Sequence, residues 1–519
     1  MPEPTAARLR RPAVAALAAC LAGAASAQPG FDCLPPTPPA PASWLVLGDG
    51  SAGSVTRAQL QAALDGGGAI RLAIGASVLS LDQELVVSRA TVLDAAGATL
   101  SGAGSQRVLR VANPGNVAYA FTLLNAVVAG GSTPGGSGAG LFKPTGGPWQ
   151  AVTLRVFDSR FTGNHAIQVA QDDGGGAIYA VGAAELTLVR TVVDGNSGAN
   201  GGGVYSLGSR TVNLIDSVLA GNTATGSGGN PGDGGNGGGL GVDGAVRDIN
   251  LCRARLVGNV GNAYGAGLFT VAYDVTSFVN IRDSTIQANN AVGTGNAHTG
   301  GVYLQGGGFA IAGSTFRDNQ AAGYGGLSLF DHGGIPAAGT IVNSTFTGNL
   351  ARTGLGGAIN IGATGGVTIQ NSTIADNRAD CAVCFAGGIA NAAGAPLTLR
   401  NVLFRNNTGG NAFNPWTVLN APVAGANNVQ WPQERPGSFG QQEAPVTAGA
   451  VFADVALGAP ADNGGPTQTL ALLGPSAAVD AGTGTGTPAL DQRGRPRHGA
   501  PDIGAYELQP DLVFGNGFQ

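Results

Sequence analysis

Nine seven-residue phrases, each closing on Asn, recur along this chain: DSRFTGN, RTVVDGN, DSVLAGN, RARLVGN, DSTIQAN, GSTFRDN, NSTFTGN, NSTIADN and NVLFRNN. They end at Asn164, Asn196, Asn222, Asn259, Asn289, Asn319, Asn349, Asn377 and Asn407, with gaps of 32, 26, 37, 30, 30, 30, 28 and 30 residues. A period of this size marks a solenoid, a propeller or another stacked array. Three residues before each Asn stands an apolar one, from Phe161 and Val193 to Ile374 and Phe404. Positions eight and ten before it are apolar almost throughout, as in Val156 and Leu154 or Leu399 and Leu397. Those two positions share one face of a strand, because side chains alternate with period two. Position nine between them (Arg155, Thr187, Asn213, Asn250, Asn280 and onward) is an outward row. After most of the Asn residues a Gly-Gly pair leads a second short apolar strand, as in Gly203-Val204-Tyr205 and Gly301-Val302-Tyr303.

A unit of this length, with about three short strands, cannot bury its own apolar face, but stacked units share a continuous core. Propeller blades need roughly 40–45 residues, so the period selects an all-β right-handed parallel β-helix. Roughly 12 coils at ~4.8 Å per coil would occupy residues 46–425. The Asn column is read as structural. Stacked Asn side chains hydrogen-bond along a ladder and tolerate left-handed backbone at a turn. Composition agrees: 90 glycines and 43 % hydrophobic residues against 11 % charged exclude helix bundles and disordered chains. Before the first coil, Thr56 to Gln59 form a capping-box pattern. Leu60, Ala63 and Leu64 then give one apolar stripe and Gly66-Gly67-Gly68 a stop. This predicts a short helix covering the open edge of the first coil.

The N-terminus reads as an address. Arg8, Arg10 and Arg11 precede an apolar stretch that closes on Ala25-Ser26-Ala27, so residues 1–27 form a secretory signal peptide and 28–45 a linker. Leu17-Ala18-Ala19-Cys20 offers an alternative, a lipidated Cys20. No later run reaches 18 apolar residues, and no transmembrane span is expected in the mature chain. Export implies an oxidising compartment, where Cys381 and Cys384 are expected to bridge. Zinc would need four ligands, and no second CxxC or nearby His completes the set. Cys252, on an outward position, can pair with Cys33.

The Gly-Gly and F-x-x-N phrases resemble the repeats of polymorphic outer-membrane proteins and related bacterial β-helix proteins. Residues 426–507 resemble a choice-of-anchor Q domain through Asp462-Asn463-Gly464-Gly465-Pro466-Thr467-Gln468, Asp491-Gln492-Arg493-Gly494-Arg495-Pro496 and Pro501-Asp502-Ile503-Gly504-Ala505-Tyr506-Glu507. The resemblance implies a secreted surface protein, at or beyond the outer surface of a Gram-negative bacterium, and brings no catalytic residue. The C-terminal region is expected to cap the last coils. In the tail, 508–519, Phe514 to Gln519 is similar to a short terminal motif of exported proteins.

A net charge of −5 attracts no nucleic acid. An enzyme on such a scaffold needs paired carboxylates on one outward face. The outward rows seven and nine before the Asn hold no Asp or Glu. Asp158, Asp216 and Asp283 lie six before it, but never in adjacent coils. Asp172-Asp173 and Asp331-His332 are some five coils apart. They and the isolated His165, His298 and His498 are read as turn residues. Accordingly no catalytic, cofactor or metal residue is assigned. The expected function is binding, adhesion or envelope structure by a monomer, its partner a surface glycan or another envelope component. A polysaccharide lyase or glycoside hydrolase is the alternative.

Overall fold

The computed structural model describes residues 31–509 except 32, 116, 146–148, 230–231, 296–297 and 437–439. The expected signal peptide, Cys20 and residues 510–519 lie outside the described residues. The fold is a parallel β-helix of about 11 turns, the number of strands in its third sheet. One coil runs through four strands, here Val152–Phe157, Arg160–Thr162, His165–Ala166 and Ile178–Val181. We call the sheets they build I, II, IV and III. Sheets I and II have 14 strands each, III has 11 and IV has 10, and neighbouring strands in each are parallel. The sequence suggested about three strands per coil. The fourth is the two-residue strand just after each Asn, too short to carry a pattern.

Register follows the predicted offsets. Leu154, Leu186, Val212, Ile249 and Val279 stack on one another in sheet I, and Phe161, Val193, Leu219, Leu256 and Ile286 in sheet II. All are buried in one continuous core. Phe316 and Phe346 stack face to face at 4.5 Å.

The nine Asn residues are buried and form an unbroken ladder. In each of the first eight, Nδ2 donates to the Oδ1 of the next Asn at 2.8–3.0 Å, and the backbone N–H donates to that same oxygen. The second amide hydrogen reaches back to a carbonyl of the preceding coil, as Asn289 does to Leu256 at 2.9 Å. Left-handed backbone falls one residue earlier than expected, on Gly163, Gly195, Gly221, Gly258, Ala288, Asp318, Gly348, Asp376 and Asn406. The Asn itself must direct its amide inward, so its predecessor makes the turn. The ladder also explains the Gly-Gly pairs. A Cβ on Gly203, Gly239 or Gly267 would lie 3.0–3.1 Å from the amide of Asn222, Asn259 or Asn289, and closer still to a backbone carbonyl.

A second ladder runs five residues before the Asn column. There the N–H of Ala254, Ser284, Ser314 and Ser344 donates to the hydroxyl of Ser284, Ser314, Ser344 and Ser372, one coil on.

The ends are tied to the stack. Strand Leu45–Leu47 pairs with Gly68–Leu72, and helix α1, Arg57–Gly66, bridges them. Its capping box is formed, and Leu60, Ala63 and Leu64 are buried. The expected linker is instead a strap. Phe31, Cys33 and Trp44 pack on Leu124, Phe157, Val189, Ile215 and Cys252, an outward apolar row of sheet I. Cys33 and Cys252 form a disulfide across 219 residues, and Cys381 and Cys384 form another with Cα atoms 4.9 Å apart. At the other end Val429–Trp431 and Val451–Phe452 extend sheet II. The buried Arg435–Glu443 pair closes the last loop, Glu443 accepting from the Trp416 N–H. Residues 453–508 do not end-cap the stack. They fold back along the outer face of sheet II.

Asn289→Ala strands the Leu256 carbonyl and two donors of Asn259. At about 1–3 kcal/mol per unsatisfied buried group, we expect a loss of about 3 kcal/mol or more in denaturant unfolding. An exposed control such as Val78→Ala should cost less than about 0.5 kcal/mol.

Candidate functional site

Between sheets I and II every coil turns through left-handed backbone at one position: Ala96, Asn125, Asp158, Arg190, Asp216, Arg253, Asp283, Gly313, Asn343, Asn371, Asn401 and Asn427. Asn and Asp accept this conformation most readily. At the N-terminal half this corner is an open groove of ≈ 800 Å³, lined by Arg71, Asp94, Asn125, Asp158, Arg160 and Arg190. Asp158, Asp216 and Asp283 are indeed never in adjacent coils, but the coils between them carry Arg190 and Arg253. The alternation D-R-D-R-D at the head of five successive phrases is visible in the sequence and was the missed signal.

Most carboxylates of this row and its neighbours are gripped from an adjacent coil; the exception is Asp283, which has only Arg282 beside it at 3.6 Å and whose carboxyl is pushed up by burial. Arg190 holds Asp158 with two bonds of 2.6 and 2.7 Å, and Arg160 holds Asp194 at 2.8 and 2.7 Å. Arg253 holds Asp216 at 2.5 and 2.9 Å and also donates to the Cys33 carbonyl. Asp94 takes Arg71 at 2.9 Å and the Asn125 amide at 3.0 Å, and the Arg71 guanidinium lies 4.4 Å over Trp44. Hydrogen bonds to the carboxylates hold Arg160, Arg190 and Arg253 above the ordinary arginine range. Beside the groove, burial pushes Glu185 up, but Arg155 and Thr187 outweigh it and leave the carboxyl below its usual range. Such a surface offers fixed donors and acceptors. General acid catalysis would need a carboxyl kept protonated beside an ionised one, and fork-shaped arginine pairs favour the ionised form.

The other singled-out residues are distributed elsewhere. The Asp173 carboxylate accepts from the Ser137 hydroxyl, and Asp331 ties its loop to the next coil by accepting from the Thr364 hydroxyl at 2.7 Å. His165 bonds Ser197 and His498 meets Gln509. His298 sits edge-on to Tyr264, and burial holds its imidazole below its ordinary value.

The C-terminal phrases build a docking surface. Gln468, Gln492 and Ala505, one from each of the three phrases, bond an outward threonine row of sheet II. Thr315 donates to the Gln468 carbonyl at 2.6 Å, Thr345 to the Gln492 side chain at 2.6 Å, and the Ala505 N–H to Thr373 at 3.0 Å. Behind them Asp491–Arg493 and Arg497–Glu507 are buried ion pairs, and Arg493 lies 3.6 Å over Tyr506. Burial, reinforced by Glu507 and Asp480, pushes Asp502 up to about 6.

No family profile and no curated protein matches the chain. Among solved structures, pectate lyase Pel9A is similar over 90 % of this chain and 96 % of its own, at 14 % identity and a TM-score of 0.32. The Dettilon tailspike protein (gp208) is similar over 80 % of this chain and 72 % of its own, at 11 % identity and a TM-score of 0.30. These are likenesses of fold alone.

Because Asp502 ionises less readily folded than unfolded, its contribution favours the folded state below about pH 4 and is lost as pH rises toward 6. Hydrogen exchange in residues 490–508 should therefore speed up across that window in wild type more than in Asp502→Asn. Parallel profiles for the two chains would refute the assignment.

Proposed function

We propose that this chain is an exported β-helix of a bacterial envelope, displayed at or released from the cell surface, which binds or scaffolds an envelope component without turning it over. The observation that carries this reading is the corner groove. Its carboxylates are paired with arginines of the neighbouring coil, which suits recognition of polar ligands and not proton transfer. The resemblance to polymorphic outer-membrane repeats and to a choice-of-anchor Q region supports the location. So do two disulfides, which persist in oxidising compartments. No helix among the described residues is long and apolar enough to cross a membrane, and surface retention would rest on the terminal segments.

The test incubates the mature chain with a panel of surface and plant polysaccharides, following reducing ends and the absorbance of unsaturated products. Neither should rise above the buffer control, while the same chain is retained on immobilised envelope polysaccharide. Product formation would sink this reading.

A further inference from the structure

Where sheet III turns into sheet I, aromatic side chains stand exposed along the solenoid axis. The Trp149 indole lies across Gly182 and Gly208 of two successive coils, and a Cβ on either glycine would strike the ring. One flank of the ring is thus seated on backbone, yet the residue remains 55 % exposed. The next coil brings Asp243 to the same edge, the Gly208 N–H donating to its carbonyl at 2.7 Å. One coil further stands Tyr273, half exposed, its phenol bonded to the Asp243 carboxylate. His332 then meets Tyr273 edge-on at 4.7 Å.

We infer that Trp149 and Tyr273, the latter positioned by Asp243 and His332, form a binding strip for a neutral glycan chain laid parallel to the solenoid axis. This inference rests on the binding reading above and gives it a ligand class and a place. Indole and phenol rings suit a ligand with one apolar face and one wet rim, which is the shape of a pyranose. From Gly208 to Tyr273 is two coils, ~10 Å at ~4.8 Å each, so alternate sugars of an extended chain can meet the two rings. Asp243, buried between them, accepts from the Tyr273 phenol and the Gly244 N–H and so fixes the direction of the Tyr273 ring. Exposed Asp172 and Asp274 are balanced by exposed Arg210 and Arg247, so the surround carries no net charge to draw a uronic or phosphorylated chain.

The experiment applies the mature chain, Trp149→Ala, Tyr273→Ala and the control Val78→Ala to an array of neutral and acidic oligosaccharides of graded length. Circular dichroism confirms folding of each. We expect wild type and Val78→Ala to retain neutral chains of about four sugars or more, the span of the strip. Each aromatic variant should bind about tenfold more weakly, the loss of one stacking contact. Undiminished binding by both aromatic variants, a preference for acidic chains, or no retention by wild type would each overturn the strip. Shortened glycans recovered from the wild-type array would instead overturn the non-catalytic reading, whatever the variants do.

Discussion

The buried asparagine ladder is the constraint from which the other regularities follow. A parallel coil that turns sharply leaves backbone donors and acceptors inside the fold, and each must find a partner. One amide per coil does this in both directions. Its oxygen takes two donors from the coil before, and its nitrogen bonds the amide of the coil after and a carbonyl of the coil before. A ladder of this kind works only in phase, since a coil shifted by one residue would point the amide at solvent and a strand's apolar face outward. The stacked Phe, Leu and Ile columns are therefore consequences of the ladder as much as of hydrophobic burial. The glycine pairs are another, because the amide occupies the space where a Cβ would be.

What could be read from the sequence is what the ladder repeats. The inward offsets, the capping box at Thr56 and the apolar stripe of α1 are local or periodic, and periodicity identifies a face without knowledge of the fold. The two straps are neither. The stretch 31–44 gives no periodic signal, and its partners Leu124 to Cys252 appear only as outward positions that happen to be apolar. Their apolarity at row seven, Phe157, Val189 and Ile215 before Cys252, was the sign that something covers them. The C-terminal region was legible as phrases but not as geometry. Gln468 and Gln492 match threonines some 150 residues upstream, and nothing in the local chain says whether such a region plugs the last coil or runs back along the flank.

The candidate groove shows the same division. Asp158, Asp216 and Asp283 taken alone make a column with gaps. Including arginine closes the gaps and changes the chemistry, because a carboxylate forked by a guanidinium is a recognition element and a poor proton donor. The unit of interpretation in a solenoid is the column across coils, and a residue's role depends on what stands one coil above and below it.

The corners differ in how much change they tolerate, and this bears on where binding can evolve. From Phe157 to Arg160 and from Thr162 to His165 the connections are two residues long, and the corresponding turns keep that length from coil to coil through Leu403–Arg405 and Thr408–Gly409. These corners carry the serine and asparagine ladders, which one added residue would interrupt. The connections into and out of sheet III vary freely, from Gln305–Gly307 to the long stretch between Ala224 and Leu240. All the variation in repeat length is absorbed there. Trp149, Tyr273 and His332 sit in three such variable turns on the III-to-I edge. A chain that must hold its ladders fixed while acquiring recognition residues has these turns available, and its exposed aromatic residues on that side accord with this division of labour.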